Sequence, residues 1–220
     1  MNPTDTRLLD ALGSGNSSTR LQAALAAGTR ADPGFAEELV ARCAIEPDFF
    51  VRDMLTWALT RLPAAVTVPR LRAELTSEHA QARSQALHTL SKIGDGDVWP
   101  AITRSLLRDA DDEVARSAWR AAVILVPAGE RAALATELAG QLGRGDRTVR
   151  RSLSRALVAL GEVTEAALRH GLASTDPAVR THAHATLRLL RDPESGFDAA
   201  VDEVNRIAAL DSHQAEETAC

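Results

Sequence analysis

The apolar positions of this 220-residue chain fall into stripes that recur at a nearly constant interval. Each stripe follows a short opening motif, Asp-x-x-Val-Arg, intact at Asp48–Arg52, Asp146–Arg150 and Asp176–Arg180. Weaker copies open at Asn16, His79 and Asp111, so the six openings are separated by steps of 32, 31, 32, 35 and 30 residues. Such regularity points to a repeat architecture, which has to be settled before any finer reading. Counting from Val51, the residues at +4, +7, +8 and +11 are Leu55, Ala58, Leu59 and Leu62. Ala82 is followed by Ala86, Thr89, Leu90 and Ile93, and Val149 by Leu153, Ala156, Leu157 and Leu160. At about 100° per residue, these positions form one stripe of an α-helix. Pro63, Gly94 and Gly161 stand where the stripes end, and Asp, Asn or His stands where an N-cap is wanted.

Between these helices lie shorter amphipathic segments: 35–45, 68–75, 98–107, 130–142 and 163–172. Each period therefore predicts a first helix, a turn and a second helix. An initial first helix fits 5–12 and an unpaired last one fits 197–210, leaving 211–220 as a polar, disordered tail. The expected architecture is all-α, one right-handed α-solenoid domain of about six helix pairs over residues 1–210. Composition agrees, with 41 alanines, no Tyr and only 3% aromatic residues, against an all-β fold.

The missing Tyr also disfavours the tetratricopeptide pattern. The Asp-x-x-Val-Arg opening with its Ala/Leu stripe resembles HEAT repeats of the short bacterial kind, over residues 5–210. In that family the motif Asp and Arg form a ladder between adjacent repeats. The resemblance therefore implies a structural role for Asp48, Arg52, Asp146, Arg150, Asp176 and Arg180, with the ladder interrupted at His79 and Ala115. The stretches EPDFFVRDMLTWALTRLP, ARSQALHTLSKIGD and LLRDADDEVARSAWRAAVILVP are similar to the HEAT region attached to some actinobacterial MerR-type transcription regulators. Those regulators carry a winged-helix DNA-binding domain ahead of the repeats. Here the first repeat starts at residue 5, so the expectation is a free-standing version of such a region.

In HEAT-like arrays the second helices line the concave surface. Positions +2, +6 and +9 point away from the apolar stripe, with +5 on the flank. These rows place Asp53, Trp57 and His88 in the N-terminal half. They place Arg116, Arg120, Arg151, Arg155 and Arg188 in the C-terminal half, with Trp119 at a +5 position. Five arginines with no acid after Asp53 is an asymmetry in a chain of net charge −5. Guanidinium forks over an aromatic floor suit a carboxylate, a phosphate or an acidic peptide. The same charges could equally serve solubility.

Catalytic patterns are sparse. The chain has no HExxH, no CxxC and none of the His-Glu dipeptides used by HEAT-type di-iron hydroxylases. His182 and His184 sit two apart on a helix and cannot share one metal. Gly143-Arg144-Gly145-Asp146 lacks the Lys-Ser/Thr of a phosphate-binding loop and reads as a turn. Cys43 reads as a small core residue, and two cysteines cannot form a disulfide framework. No secretory leader or membrane-spanning stretch is read, so a reducing cytoplasm is the expected compartment.

The leading expectation is a non-enzymatic scaffold, without metal or cofactor, that holds a partner protein or peptide, in a regulatory role. Two alternatives stand beside it. One is sensing or sequestration of an anionic or aromatic small molecule between Trp57, His88 and Trp119. The other is a HEAT-like alkylpurine DNA glycosylase built on Asp53, Trp57, Trp119 and the arginine row. The acidic balance and the single lysine, Lys92, weigh against nucleic acid.

Overall fold

The computed structural model describes residues 3–206, and every regular element among them is helical. The residues gather into two compact units, one ending at Leu125 and the other starting at Val126. The first holds α1 (Pro3–Leu12), α2 (Ser17–Arg30), α3 (Ala36–Ile45), α4 (Phe49–Arg61), α5 (Ala64–Glu74), α6 (Ala80–Ile93), α7 (Arg104–Leu107) and α8 (Asp112–Leu125). The second holds α9 (Arg131–Ala139), α10 (Arg147–Leu160), α11 (Val163–Leu172) and α12 (Pro177–Arg191), and a further helix over 197–206. Taken in order, the even-numbered helices are the second helices of six pairs. The polar tail at 211–220 and the last four residues of the expected 197–210 helix lie outside the described residues. No described helix is long and apolar enough to cross a membrane.

The Asp and Asn caps form as the sequence predicts, and the His79 cap does not. Asp48 Oδ1 accepts from the N–H groups of Phe50 and Val51 at 2.9 and 3.1 Å, and Asp111 treats Glu113 and Val114 alike. Asn16, Asp146 and Asp176 cap α2, α10 and α12, while His79 provides no side-chain cap to α6. Each such cap contributes about 1 kcal/mol to a helix start. The apolar stripes are buried: Leu55, Ala58, Leu59, Leu90, Leu153 and Leu157 are all at most 1% exposed. Alanine allows close helix approach, and at one crossing even alanine is too large. A Cβ added to Gly28 of α2 would lie 2.4 Å from Trp57 Cζ3 and 2.8 Å from Ala58 Cα.

The segment 98–107 does not form the single helix expected of it. Asp95 caps a 3-10 turn over Gly96–Ala101, in which Pro100 offers no N–H, and the backbone straightens at Thr103 before the short α7. The inter-repeat ladder also differs from what the HEAT resemblance implies. The motif aspartates are occupied as caps, and four of the arginines at the motif position, Arg20, Arg52, Arg83 and Arg180, turn back to carbonyls of their own turn. Arg52 Nη1 donates to Glu46 O and Pro47 O at 2.9 and 2.8 Å. Arg20 reaches Ser14 and Gly15, Arg83 reaches Ser77 and Glu78, and Arg180 reaches Ser174. Where a rung to the next repeat exists, its acid stands outside the motif. Arg20 bonds Glu46 through Nε and Nη2 at 2.7 and 2.6 Å, and Arg83 bonds Asp109 at 2.9 and 3.0 Å. Arg83 belongs to the copy opened by His79, so that copy keeps its rung.

Glu46 is the most heavily bonded of these acids. Its side chain is fully buried and also accepts from Arg42 Nε at 2.8 Å and the Asp48 N–H at 2.9 Å. Burial alone would raise its pKa, but the Arg20, Asp48 and Arg42 bonds outweigh this and lower it from 4.5 to about 2.

Candidate functional site

In the first unit, the outward faces of α4, α6 and α8 enclose an open groove of about 550 Å³. α4 contributes Phe49, Arg52 and Asp53; α6 contributes Gln81, Ser84, Gln85 and His88; α8 contributes Glu113, Arg116, Ser117 and Arg120. Asp53, His88, Arg116 and Arg120 are thus brought together as the repeat positions predict. The groove also takes in +3 and −1 positions, such as Gln85, Ser117 and Glu113, which the +2, +6 and +9 rows omit. It is displaced towards the N-terminal ends of the helices, where the −1 and +3 positions share a face with +2 and +6.

Three arginines, Arg52, Arg116 and Arg120, share the lining with three acids, Asp53, Asp111 and Glu113. Arg116 pairs with Glu113 one turn earlier, yet its Nε is buried without a hydrogen-bond partner. Arg120 is held along its own helix, donating from Nε to Arg116 O at 3.3 Å and from Nη2 to Ser117 Oγ at 3.1 Å. Burial first, and then the Arg116 charge, lowers the Arg120 pKa from its ordinary value. Burial, Arg120 and Lys92 likewise lower that of His88, against a smaller opposing effect of Asp53. In both cases burial is the larger cause and the neighbouring cations add to it.

At one rim the groove meets exposed apolar surface. Phe49 and Phe50, 65% and 72% exposed, stand edge to face with ring centres 5.6 Å apart at the first turn of α4. Ile45 at the end of α3 is exposed as well. Phe49 and Phe50 directly follow the Asp48 cap and so precede the +2 to +9 positions.

The two tryptophans do not form the aromatic floor expected of them. Trp119 is fully buried, and its Nε1–H donates to Leu107 O at 2.8 Å, joining α8 to α7. The +5 position of α8 faces the partner helix of its own pair, so Trp119 is core. Trp57 is 38% exposed and lies over Gly28 of α2, outside the groove lining. The Asp–Trp–Trp arrangement on which the glycosylase alternative rested is therefore not assembled, nor are Trp57, His88 and Trp119 walls of one pocket.

Arg151, Arg155 and Arg188 belong to the second unit. Arg155 is exposed and Arg151 half-buried, while Arg188 Nη1 lies 3.8 Å from Glu203 Oε1 on the 197–206 helix. His182 is buried with both ring nitrogens engaged. Nδ1 accepts from the Gly143 N–H at 3.1 Å, so the proton sits on Nε2, 3.0 Å from Arg150 O and from Ser154 Oγ. Burial, opposed by the Arg150 carbonyl and reinforced by the Arg150 charge, lowers its pKa from 6.5 to about 4. Gly143, the first glycine of the Gly-Arg-Gly-Asp turn, has φ +85° and would place a Cβ 2.9 Å from Val179 Cγ2. That turn is a structural seat for His182. The Cys43 thiol is buried, which pushes its pKa up to about 12 and leaves it a poor nucleophile. Among the described residues, no three His, Cys, Asp or Glu side chains cluster as a metal site would require.

Residues 47–124, from the turn before α4 almost to the end of α8, match the family model for HEAT repeats. No curated protein matches the sequence. Among solved structures, an engineered protein is 22% identical with a TM-score of 0.47, covering 93% of this chain and 98% of its own. The CpcE–CpcF complex of phycocyanin lyase from Nostoc sp. PCC7120 is 20% identical with a TM-score of 0.49, covering 89% of this chain and 80% of that one. A designed armadillo repeat protein in complex with the peptide (KR)4 is 18% identical with a TM-score of 0.31, covering 83% and 80%.

Proposed function

We propose that this protein is a binding scaffold whose first-unit groove holds an extended segment of a partner protein, with an acidic side chain or C-terminal carboxylate at its anchor. The observation that carries this reading is the placement of Arg116 and Arg120 one turn apart on the groove wall, with the Arg116 Nε buried and without a hydrogen-bond partner. A carboxylate placed between the two guanidiniums would offset their like charge through charge-assisted hydrogen bonds, each worth about 1.5–3 kcal/mol. Gln85 offers a further amide on the groove wall, and Phe49 offers an apolar contact for a residue beside the acid. The HEAT-type stretch at 47–124 coincides with the helices that build the groove, and helical arrays of this kind present broad surfaces to partners without reactive groups.

The test uses fluorescently labelled peptides in matched sets, each carrying an acidic–aromatic pair, its amide counterpart or its lysine counterpart. Anisotropy should show the acidic members binding at least tenfold more tightly than the amides, with the difference lost in Arg116→Gln/Arg120→Gln. Equal affinity across each set, or no binding by any acidic peptide, would refute the reading. Retention of acid preference in the double variant would move the site elsewhere.

A further inference from the structure

The second unit carries a surface that the groove reading does not use. At position +6 the second helices hold Trp57, His88, Arg120 and Arg155, all at least partly exposed, and at +10 they hold Arg61, Lys92, Ile124 and Ala159, all exposed. On α12 these positions are Ala185 and Leu189, buried at 0% and 8%. What buries them is the helix over 197–206. Phe197 and Ala200 pack on Ala185 and Leu189, with Val158 of α10 and Val201 at the edge, and the Phe197 ring stands edge-on to His182 at 5.8 Å.

This helix is amphipathic and acidic. Phe197, Ala200, Val201 and Val204 follow the i, i+3, i+4, i+7 rule, and Asp198, Asp202 and Glu203 stand beside them. The acids meet arginines of the face below: Arg147 Nε bonds Asp198 Oδ1 at 2.7 Å and approaches Asp202, and Arg188 approaches Glu203. The two Arg147 pairs are solvent-exposed, and the Arg188–Glu203 pair is partly exposed and long at 3.8 Å, so all three contribute little. The fit is also incomplete. A cleft of about 210 Å³ remains between the helix and α10 and α12, with Asp202 and Asn205 on one wall and Arg147 and Arg150 on the other. The Nε of Arg150 is buried without a hydrogen-bond partner. A segment that covers apolar surface, matches charge weakly and leaves a cation unsatisfied is a replaceable occupant.

We propose that the α10–α12 face of the second unit is a docking surface for an acidic amphipathic helix of a partner protein, and that residues 197–206 occupy it in cis as an incomplete surrogate. The partner helix carries a bulky apolar residue where Phe197 sits and an additional carboxylate where Asn205 faces the Arg147–Arg150 cleft. It binds by displacing the cis helix, so its apparent affinity is reduced by the fraction of time the face is covered.

The test uses the full chain and a labelled synthetic peptide of residues 196–210. Asp198→Lys/Asp202→Lys, at exposed positions, loosens the cis helix without touching its apolar face. The loosened chain should bind the peptide at least tenfold more tightly than the wild type. The Asn205→Glu peptide should bind at least threefold more tightly again, and Arg147→Gln/Arg188→Gln in the loosened chain should weaken peptide binding at least threefold. Equal binding by loosened and wild-type chains overturns the proposal. So does loss of hydrogen-exchange protection across α10 and α12 in the loosened chain, which would make the helix a cap that the fold requires. Concentration-dependent dimerisation of the loosened chain also overturns it, because the occupant would then be a second copy. None of these variants touches the first-unit groove, so failure here leaves the Arg116–Arg120 reading standing, and the reverse.

Discussion

Replacing Glu46 by Gln removes one negative charge from a fully buried position and leaves the facing Arg20 guanidinium, 6% exposed, without its ion pair. The depression of the carboxyl pKa from 4.5 to about 2 corresponds to about 3 kcal/mol for a wholly desolvated site. The Arg42 side chain in the cluster is 18% exposed, so solvent screens part of this and leaves about 2 kcal/mol. Because the folded-state pKa lies below the unfolded one, the stabilisation is complete above about pH 4.5 and is lost as pH falls towards 2. All three tryptophans, Trp57, Trp99 and Trp119, lie in the first unit, so intrinsic fluorescence follows that unit without interference from the second. Urea titrations at a series of pH values should show Glu46→Gln less stable by about 2 kcal/mol at pH 7, equivalent to several °C in Tm. The gap should narrow steadily below about pH 4.5, because the wild-type carboxylate is itself being protonated. A gap that is absent at pH 7, or one that persists unchanged at pH 2, would refute the assignment of Glu46 as the charged centre of this turn.

Three further outcomes follow from close contacts. Gly28→Ala gains about 1 kcal/mol of helix propensity but forces Trp57 and the Ala58 backbone away, for a net loss of about 1–2 kcal/mol and an altered Trp emission, measured by thermal melts with fluorescence detection. Trp119→Phe removes the bond to the Leu107 carbonyl and leaves a void beneath α8, at a cost of about 2–3 kcal/mol in urea unfolding. The His182 ring should remain neutral to about pH 4 by NMR titration. Since its folded pKa lies below 6.5, the second unit loses stability as pH falls from 6.5 towards about 4, a dependence that His182→Gln should flatten.

The repeat period, the caps and the buried stripes were legible because each depends on a few adjacent residues. The Asp, Asn and Val positions are set by local hydrogen bonds and by helical periodicity alone. Asp53, His88, Arg116 and Arg120 came together for the same reason, since equivalent positions on stacked second helices share a face. Trp119 escaped because the boundary between a flank and a core position depends on how far the first helix of the pair wraps around, and α7 wraps far enough to seal it. Glu46 escaped because it stands before the motif and acquires its partners from α2 and α3. The 197–206 helix was visible as a helix, and its resting place was marked faintly by Ala185, the small residue in a row of Trp, His and Arg.

The motif arginines bear on how such a chain grows. Arg20, Arg52, Arg83 and Arg180 each close the turn of their own helix pair, donating to carbonyls five or six residues earlier. A duplicated stretch of roughly one period would carry its closing bonds with it and would need from its neighbours only an apolar face. The acidic rungs at Glu46 and Asp109 can then be added, lost or moved by single substitutions without dismantling the pair that receives them. Substitutions that loosen the contact between neighbouring pairs would therefore leave the turn inside each of these four pairs closed.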